Sequence, residues 1–192
     1  MLIDDVLPVY DARRVDRRVM DGPIDAVYAA ALHADLLDTW RQSLLLRFLF
    51  WARGVGERVV SLARRRPYVE PPPPDSLRLE DLPTRGEWVR LTADPPHEFV
   101  FGVVGRFWAG ETVWDEIDAT EFAAYDHPHR ARIAACFRFT PQGERRTLVE
   151  YECRTQATDA DSRRAFLRYW RPLSPFIGIV LRAQLRAVEA SL

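Results

Sequence analysis

Two short stretches and one tyrosine of this chain carry side chains that could do chemistry. Asp126, His127 and His129 stand in the sequence DHPH, a carboxylate and two imidazoles of the kind that can begin a metal site. A proline separates the two histidines in an apparent strand connection, and no fourth ligand is identifiable. A turn with exposed rings is the simpler reading, and no metal is expected. In GRFWAGETVWDE, Arg106 could anchor a carboxylate or phenolate if its strand face were inward, although its neighbours favour an outward, solvated guanidinium. Glu111 and Asp115 of the same stretch could supply a proton if buried, because desolvation raises a carboxyl pKa. The turn-like GET and the surrounding acids favour ordinary surface charge instead. Tyr151 brings a phenol that can donate or accept at the edge of a bound molecule.

The chain lacks the patterns of several enzyme classes. His33 and His97 have no visible nucleophile partner, and there is no GxSxG elbow, phosphate-binding glycine loop or dinucleotide fingerprint. A hydrolase triad or a nucleotide enzyme therefore has little support, and no cofactor is expected. The two cysteines, Cys136 and Cys153, lie inside expected strands without CxxC spacing, which favours buried free thiols over a redox pair.

The elements that must position these groups follow from periodicity. Over residues 159–192, Phe166, Trp170, Leu173, Ile177, Leu181, Leu185, Val188 and Leu192 recur every three or four positions, the signature of one apolar helical face. Pro172 and Pro175 predict a bent helix or two nearly collinear ones, since each removes a backbone donor. Strands are expected at 88–92, 98–108, 131–140 and 146–157. The last alternates most clearly, with Val149, Tyr151 and Cys153 on one side and Glu150, Glu152 and Arg154 on a side expected to be wet. PQGE is a plausible hairpin connection before it. Near the start, residues 8–20 read as a strand with Tyr10, Val15 and Val19 as its apolar members. A helix follows, containing Ile24, Val27, Ala31 and Leu32, with Pro23 in its first turn. Residues 40–62 are expected to form one or two amphipathic helices that cover the core or pocket, with a membrane-surface or protein contact as alternatives. Their apolar core is far short of the ~20 residues that span a bilayer. Pro71 to Pro74 are expected to make a stiff, extended spacer.

Composition limits the classes of partner. With 192 residues, 47% apolar and 29% charged, the chain fits a single folded domain spanning 1–192. All of its basic residues are arginine, yet its net charge of −1 gives no case for a nucleic-acid partner. The acidic start MLIDDVLPVYD has no apolar segment of signal type, so a cytoplasmic location is the default expectation.

Taken in order, the first strand, GPIDAVYAAAL, GVVGRFW, EFAAYDHPHRARIAACFRF and ADSRRAFLRYWRPLSPFIGIVLRAQLRAV resemble the START-like, Bet v 1-like (SRPBCC, polyketide cyclase-like) superfamily over roughly residues 8–34 and 87–192. The resemblance implies an α+β helix-grip fold, a curved antiparallel sheet around a long C-terminal helix. A helical and proline-rich insertion at 40–85 departs from a minimal member. The implied function is binding or carriage of a small hydrophobic or aromatic metabolite between sheet and helix. The alternatives are a cyclase, dehydratase or isomerase using Glu111, Tyr151 or Arg106 in proton transfer, and a filled core whose insertion serves as a contact module. No catalytic set transfers residue by residue. Phe101, Val103, Phe107, Phe137, Tyr151, Phe166, Trp170, Leu173 and Ile177 are the candidate lining, with Arg106 and Glu111 as polar handles; solid core is the simpler reading of each lining residue.

Overall fold

The computed structural model describes residues 1–36, 78–108 and 112–192. The insertion at 40–85 lies outside the described residues except for 78–85, and so does Glu111.

The longest strands are those that the sequence marks most strongly. β1 (Ala12–Asp21), β3 (Trp88–Asp94), β4 (Glu98–Arg106), β7 (Ala131–Pro141) and β8 (Arg146–Ala157) pair antiparallel in the order β1-β8-β7-β4-β3. The short β5 (Val113–Asp115) adds to β4, and β2 (Arg85–Gly86) pairs with β6 (Ile117–Asp118) in a separate ladder. The PQGE connection is a hairpin, and Gly143 at φ +77° takes the left-handed conformation that its turn requires.

Helix α2 (Ile24–His33) follows β1 and buries Val27, Tyr28, Ala30 and Ala31. The terminal helix, α3 (Ala160–Ala190), runs as one element through Pro172 and Pro175. Both prolines lie on its exposed side, where the freed carbonyls meet water rather than the core. Asp159 caps it, its side chain accepting a hydrogen bond from the Ser162 N–H at 2.8 Å. α3 packs on β1 and β8, α2 on β7 and β8, and together they cover the concave face over Phe99, Phe101, Phe137, Phe139, Val149 and Tyr151. This is a helix-grip arrangement, an antiparallel sheet closed by a long C-terminal helix.

Two expectations change. The charged side of β8 is not wet. Helix α1 (Leu2–Val6) and the residues after it lie over it, leaving Glu152 and Arg154 each 3% exposed. Burial of these charges is compensated by pairing, since Arg154 bonds Glu152 at 2.6 Å and Asp4 at 2.8 Å, and donates to the Leu7 carbonyl at 3.1 Å. Around them Ile3, Leu7, Val89, Val100, Val104 and Phe122 form a second apolar cluster.

The second change concerns the parity of β1. Its register places Arg14, Asp16, Arg18 and Met20 opposite Cys153, Tyr151, Val149 and Thr147, on the face toward α3. Val15 and Val19 point the other way, and Val19 is 43% exposed. Tyr10 lies under the Arg154 guanidinium, 4.9 Å from its ring centroid. The edge position explains the inversion. Long arginine stems can cover apolar surface there while their heads reach acids at the rim, as Arg18 does to Glu189 at 2.5 Å and Arg182 of α3 does to Asp16 at 3.1 Å.

Candidate functional site

The concave face is built in rows, because antiparallel register aligns one residue from each strand. One row runs Asp16, Tyr151, Phe137, Phe99, Ala93; the next runs Arg14, Cys153, Ala135, Phe101, Arg90; a third runs Ala12, Thr155, Ile133, Val103, Trp88. In the middle row the two central positions are small. Cys153 and Ala135 leave a trough between the stacked rings of Tyr151 and Phe137, 4.1 Å apart, and the Ile133–Thr155 pair. Cys153 and Ile133 keep accessible surface although they lie in central strands on the covered face.

α3 supplies the opposite wall and is not uniform along its length. Leu181, Leu185 and Val188 are fully packed, whereas Trp170, Leu173, Ser174 and Ile177 are only partly buried. The C-terminal half of the helix therefore seats fully on the core, while the residues before it keep part of their surface accessible.

Aromatic contacts lead outward from the trough. Phe101 touches Tyr151 and Phe137, then Trp88 at 6.0 Å; Trp88 touches Trp114, Trp114 touches Phe107, and Phe107 touches Phe166, which meets Trp170 at 5.7 Å. The inner rings are buried. Trp88, Phe107, Trp108, Trp114 and Trp170 are partly exposed and form an aromatic rim.

The structure thus brings Phe101, Val103, Phe137 and Tyr151 together on the concave face. Phe107, Phe166 and Trp170 meet at the rim. Tyr151 and Trp170 belong to different parts of this run, joined through intervening rings. Ile177 packs against the central core, and Leu173 is half-buried further along α3. Arg106, paired with Val113, falls on the opposite alternation from Phe101 and Val103, so it is not a handle on this face. Arg14, Trp88 and Ile133 are additions. Arg14 carried no sequence signal, since both parities of ARRVDRRVM contain arginine.

Burial keeps Tyr151 and Cys153 neutral on this face. Burial, followed by the neighbouring Cys153 and Cys136, pushes the Tyr151 phenol above its ordinary range. Burial, with Glu152 second, pushes the Cys153 thiol up to about 12. At neutral pH Tyr151 is therefore a hydrogen-bond donor or acceptor and not a ready base, and Cys153 is not a thiolate nucleophile.

A separate open groove of about 710 Å³ gathers Asp115, Tyr125, Asp126, His127 and Arg130. Tyr125 donates its hydroxyl to Asp115, Arg130 pairs with the same carboxylate at 2.5 Å, and the His127 ring stacks on Tyr125 at 4.9 Å. Burial acts to raise the Asp115 pKa, but the Arg130 and Tyr125 bonds outweigh it and leave the group below its usual value. Asp115 is thus a paired anion and not a proton donor. Among the described residues no cluster of histidine, cysteine and carboxylate has the makings of a metal site.

Also among the described residues, no helix is long and apolar enough to cross a membrane. No protein-family model matches the sequence, nor does any curated protein. Solved structures do match. A conserved protein from Geobacillus kaustophilus is similar at 8% identity and TM-score 0.42, with 93% of each chain covered. A protein from Mesorhizobium loti is similar at 13% identity and TM-score 0.42, over 94% of this chain and 96% of that one. The Zhui aromatase/cyclase from a Streptomyces species is similar at 13% identity and TM-score 0.27, with 93% of each chain covered. The helix-grip architecture itself is carried by this chain's own strand order and terminal helix, and its chemistry by its own side chains.

Proposed function

We propose that the chain binds a small hydrophobic or aromatic molecule between the concave face and the middle of α3. The observation that carries this reading is the partial exposure of Cys153 and Ile133 in central strands, beneath a helix whose Trp170, Leu173 and Ile177 are also only partly buried. Binding free energy would come mainly from apolar area removed from water, about 25 cal/mol for each square ångström. The aromatic rim from Trp88 to Trp170 provides an entrance that can slide over a ring. Tyr151 can orient a polar edge of the ligand.

The test fills the trough. Cys153→Leu places a larger apolar group where the ligand would lie, and should cut binding of a neutral probe such as 2-naphthamide at least ten-fold, a loss of about 1.4 kcal/mol. Folding stability should change by less than about 1 kcal/mol, because the added carbons enter free space. In a solid core the same change would overpack the site and cost about 1 to 3 kcal/mol. Loss of stability without any probe binding by the wild type would sink the reading.

A further inference from the structure

We propose that the ligand carries an acidic group, a carboxylate or phenolate, and that Arg14 is the cation that receives it. This inference rests on the binding reading above.

Arg14 points from β1 toward α3, in the same row as Cys153, Ala135 and Phe101. It therefore stands at one end of the trough whose floor is small and whose other end is aromatic. Its guanidinium lies directly on Gly178. A Cβ at that position would sit 2.5 Å from Nη2 and 2.9 Å from Nε, so only the absence of a side chain there lets the fork occupy its seat under the helix. Gly178 costs helix stability at an interior position, roughly 1 kcal/mol relative to alanine, and the room it gives is room for this guanidinium.

The cation is left unneutralised. Its Nε is buried without a hydrogen-bond partner, and among the described residues it forms no ion pair. Nearby acids are already engaged: Asp16, two residues along the same face, is held by Arg182 at 3.1 Å, and Glu189 is held by Arg18 at 2.5 Å. Arg14 differs in this from Arg13 and Arg17 beside it, which pair with Glu152 and Glu150, each at 2.6 Å. A planar fork with free donors at the end of an apolar trough fits an oxyanion on an otherwise apolar molecule.

A matched pair of probes separates the handle from the pocket. 2-Naphthoate and its neutral amide, 2-naphthamide, share one ring system and differ in charge. Calorimetric titration at neutral pH should show that the wild type prefers the acid. Arg14→Met should weaken naphthoate about ten-fold to a hundred-fold, the scale of a charge-assisted hydrogen bond, and leave naphthamide unchanged. Gly178→Ala, which keeps the charge but takes its seat, should also weaken naphthoate selectively. Amide affinity retained in both variants shows that the pocket is intact. If the wild type binds both probes alike, or if both variants hold naphthoate as tightly as the wild type, the handle is overturned while the pocket stands. If the wild type binds neither probe, the pocket reading fails with it.

Discussion

The two faces of one sheet spend their charges differently. On the convex face, Glu150, Glu152 and Arg154 are buried and each is answered: Arg17 and Arg138 hold Glu150, Arg13 and Arg154 hold Glu152, and α1 lends Asp4 and two carbonyls to Arg154. Glu98 accepts a hydrogen bond from the Leu2 N–H at 2.6 Å, which fastens α1 further. On the concave face Arg14 has no such answer, and the aromatic run that starts at Phe101, toward the far end of its row, ends in partly exposed rings. The contrast teaches where each face's polar groups are directed. The Glu150, Glu152 and Arg154 charges are satisfied within the chain and hold α1 in place, whereas Arg14 on the concave face has no ion pair among the described residues and its Nε is buried without a partner.

The largest effect should come from breaking the convex lattice. Arg154→Met leaves Glu152 buried with only Arg13, and takes the side-chain donor from the Leu7 carbonyl, so it should destabilise the fold by about 3 to 5 kcal/mol in urea unfolding. The double change Glu152→Leu with Arg154→Met should recover much of that loss, because a well-packed apolar pair avoids desolvating two ions. Recovery would identify the lattice as a device for docking α1. A double variant as unstable as the single one would show that the carbonyl bonds, and not the charge pair, hold the segment.

Much of this division was legible in the sequence, and the reasons for the rest are physical. The alternation of Val149, Tyr151 and Cys153 against Glu150, Glu152 and Arg154 assigned β8's two faces correctly, since period-2 patterning survives burial of either side. It could not show that the charged side is covered. The cover is α1, which reaches β8 across nearly the whole chain, and a five-residue helix leaves almost no periodic trace. In β1 the pattern misled, because arginines occupy both parities and the valines that look like core face outward. The helix through Pro172 and Pro175 was readable because its apolar period never broke. The trough was not, because it is defined by two small residues, Cys153 and Ala135, brought together only by strand register.

A second comparison lies within α3. Phe166 is fully buried and Trp170 half-buried, although they are four residues apart on one face and in ring contact. Phe166→Ala should cost about 3 kcal/mol and Trp170→Ala about half of that, in the same unfolding assay. The order matters more than the values. Equal losses would mean that the middle of the helix is seated as firmly as its ends, which would close the space that the binding reading needs.

The smallest expected effect tests the start of α3, where a surface charge contributes without being buried. Asp159 accepts hydrogen bonds from the backbone N–H groups of Ser162 and His129, and these bonds, Ser162 first, pull its carboxyl down from 3.8 to about 2. A group whose folded pKa lies below its unfolded value contributes stability that is fully present above the unfolded value and lost as pH falls through the folded one. The Asp159 contribution should therefore be constant above about pH 5 and disappear between 3.8 and about 2. Asp159→Ala should cost about 1 kcal/mol at neutral pH and almost nothing at the acid end. Asp159→Asn keeps an acceptor for the Ser162 N–H but cannot titrate, so it should lose little at neutral pH and flatten the acid limb. The Glu152 carboxyl also contributes on the acid side: burial acts to raise its pKa, but the Arg13 and Arg154 bonds outweigh it and hold the group below its usual value. Measuring the Asp159 variants in the Glu152→Leu with Arg154→Met background separates the two ends. An acid limb that persists there and vanishes only with Asp159→Asn assigns it to the α3 cap; one that vanishes with the lattice alone assigns it to the docking of α1.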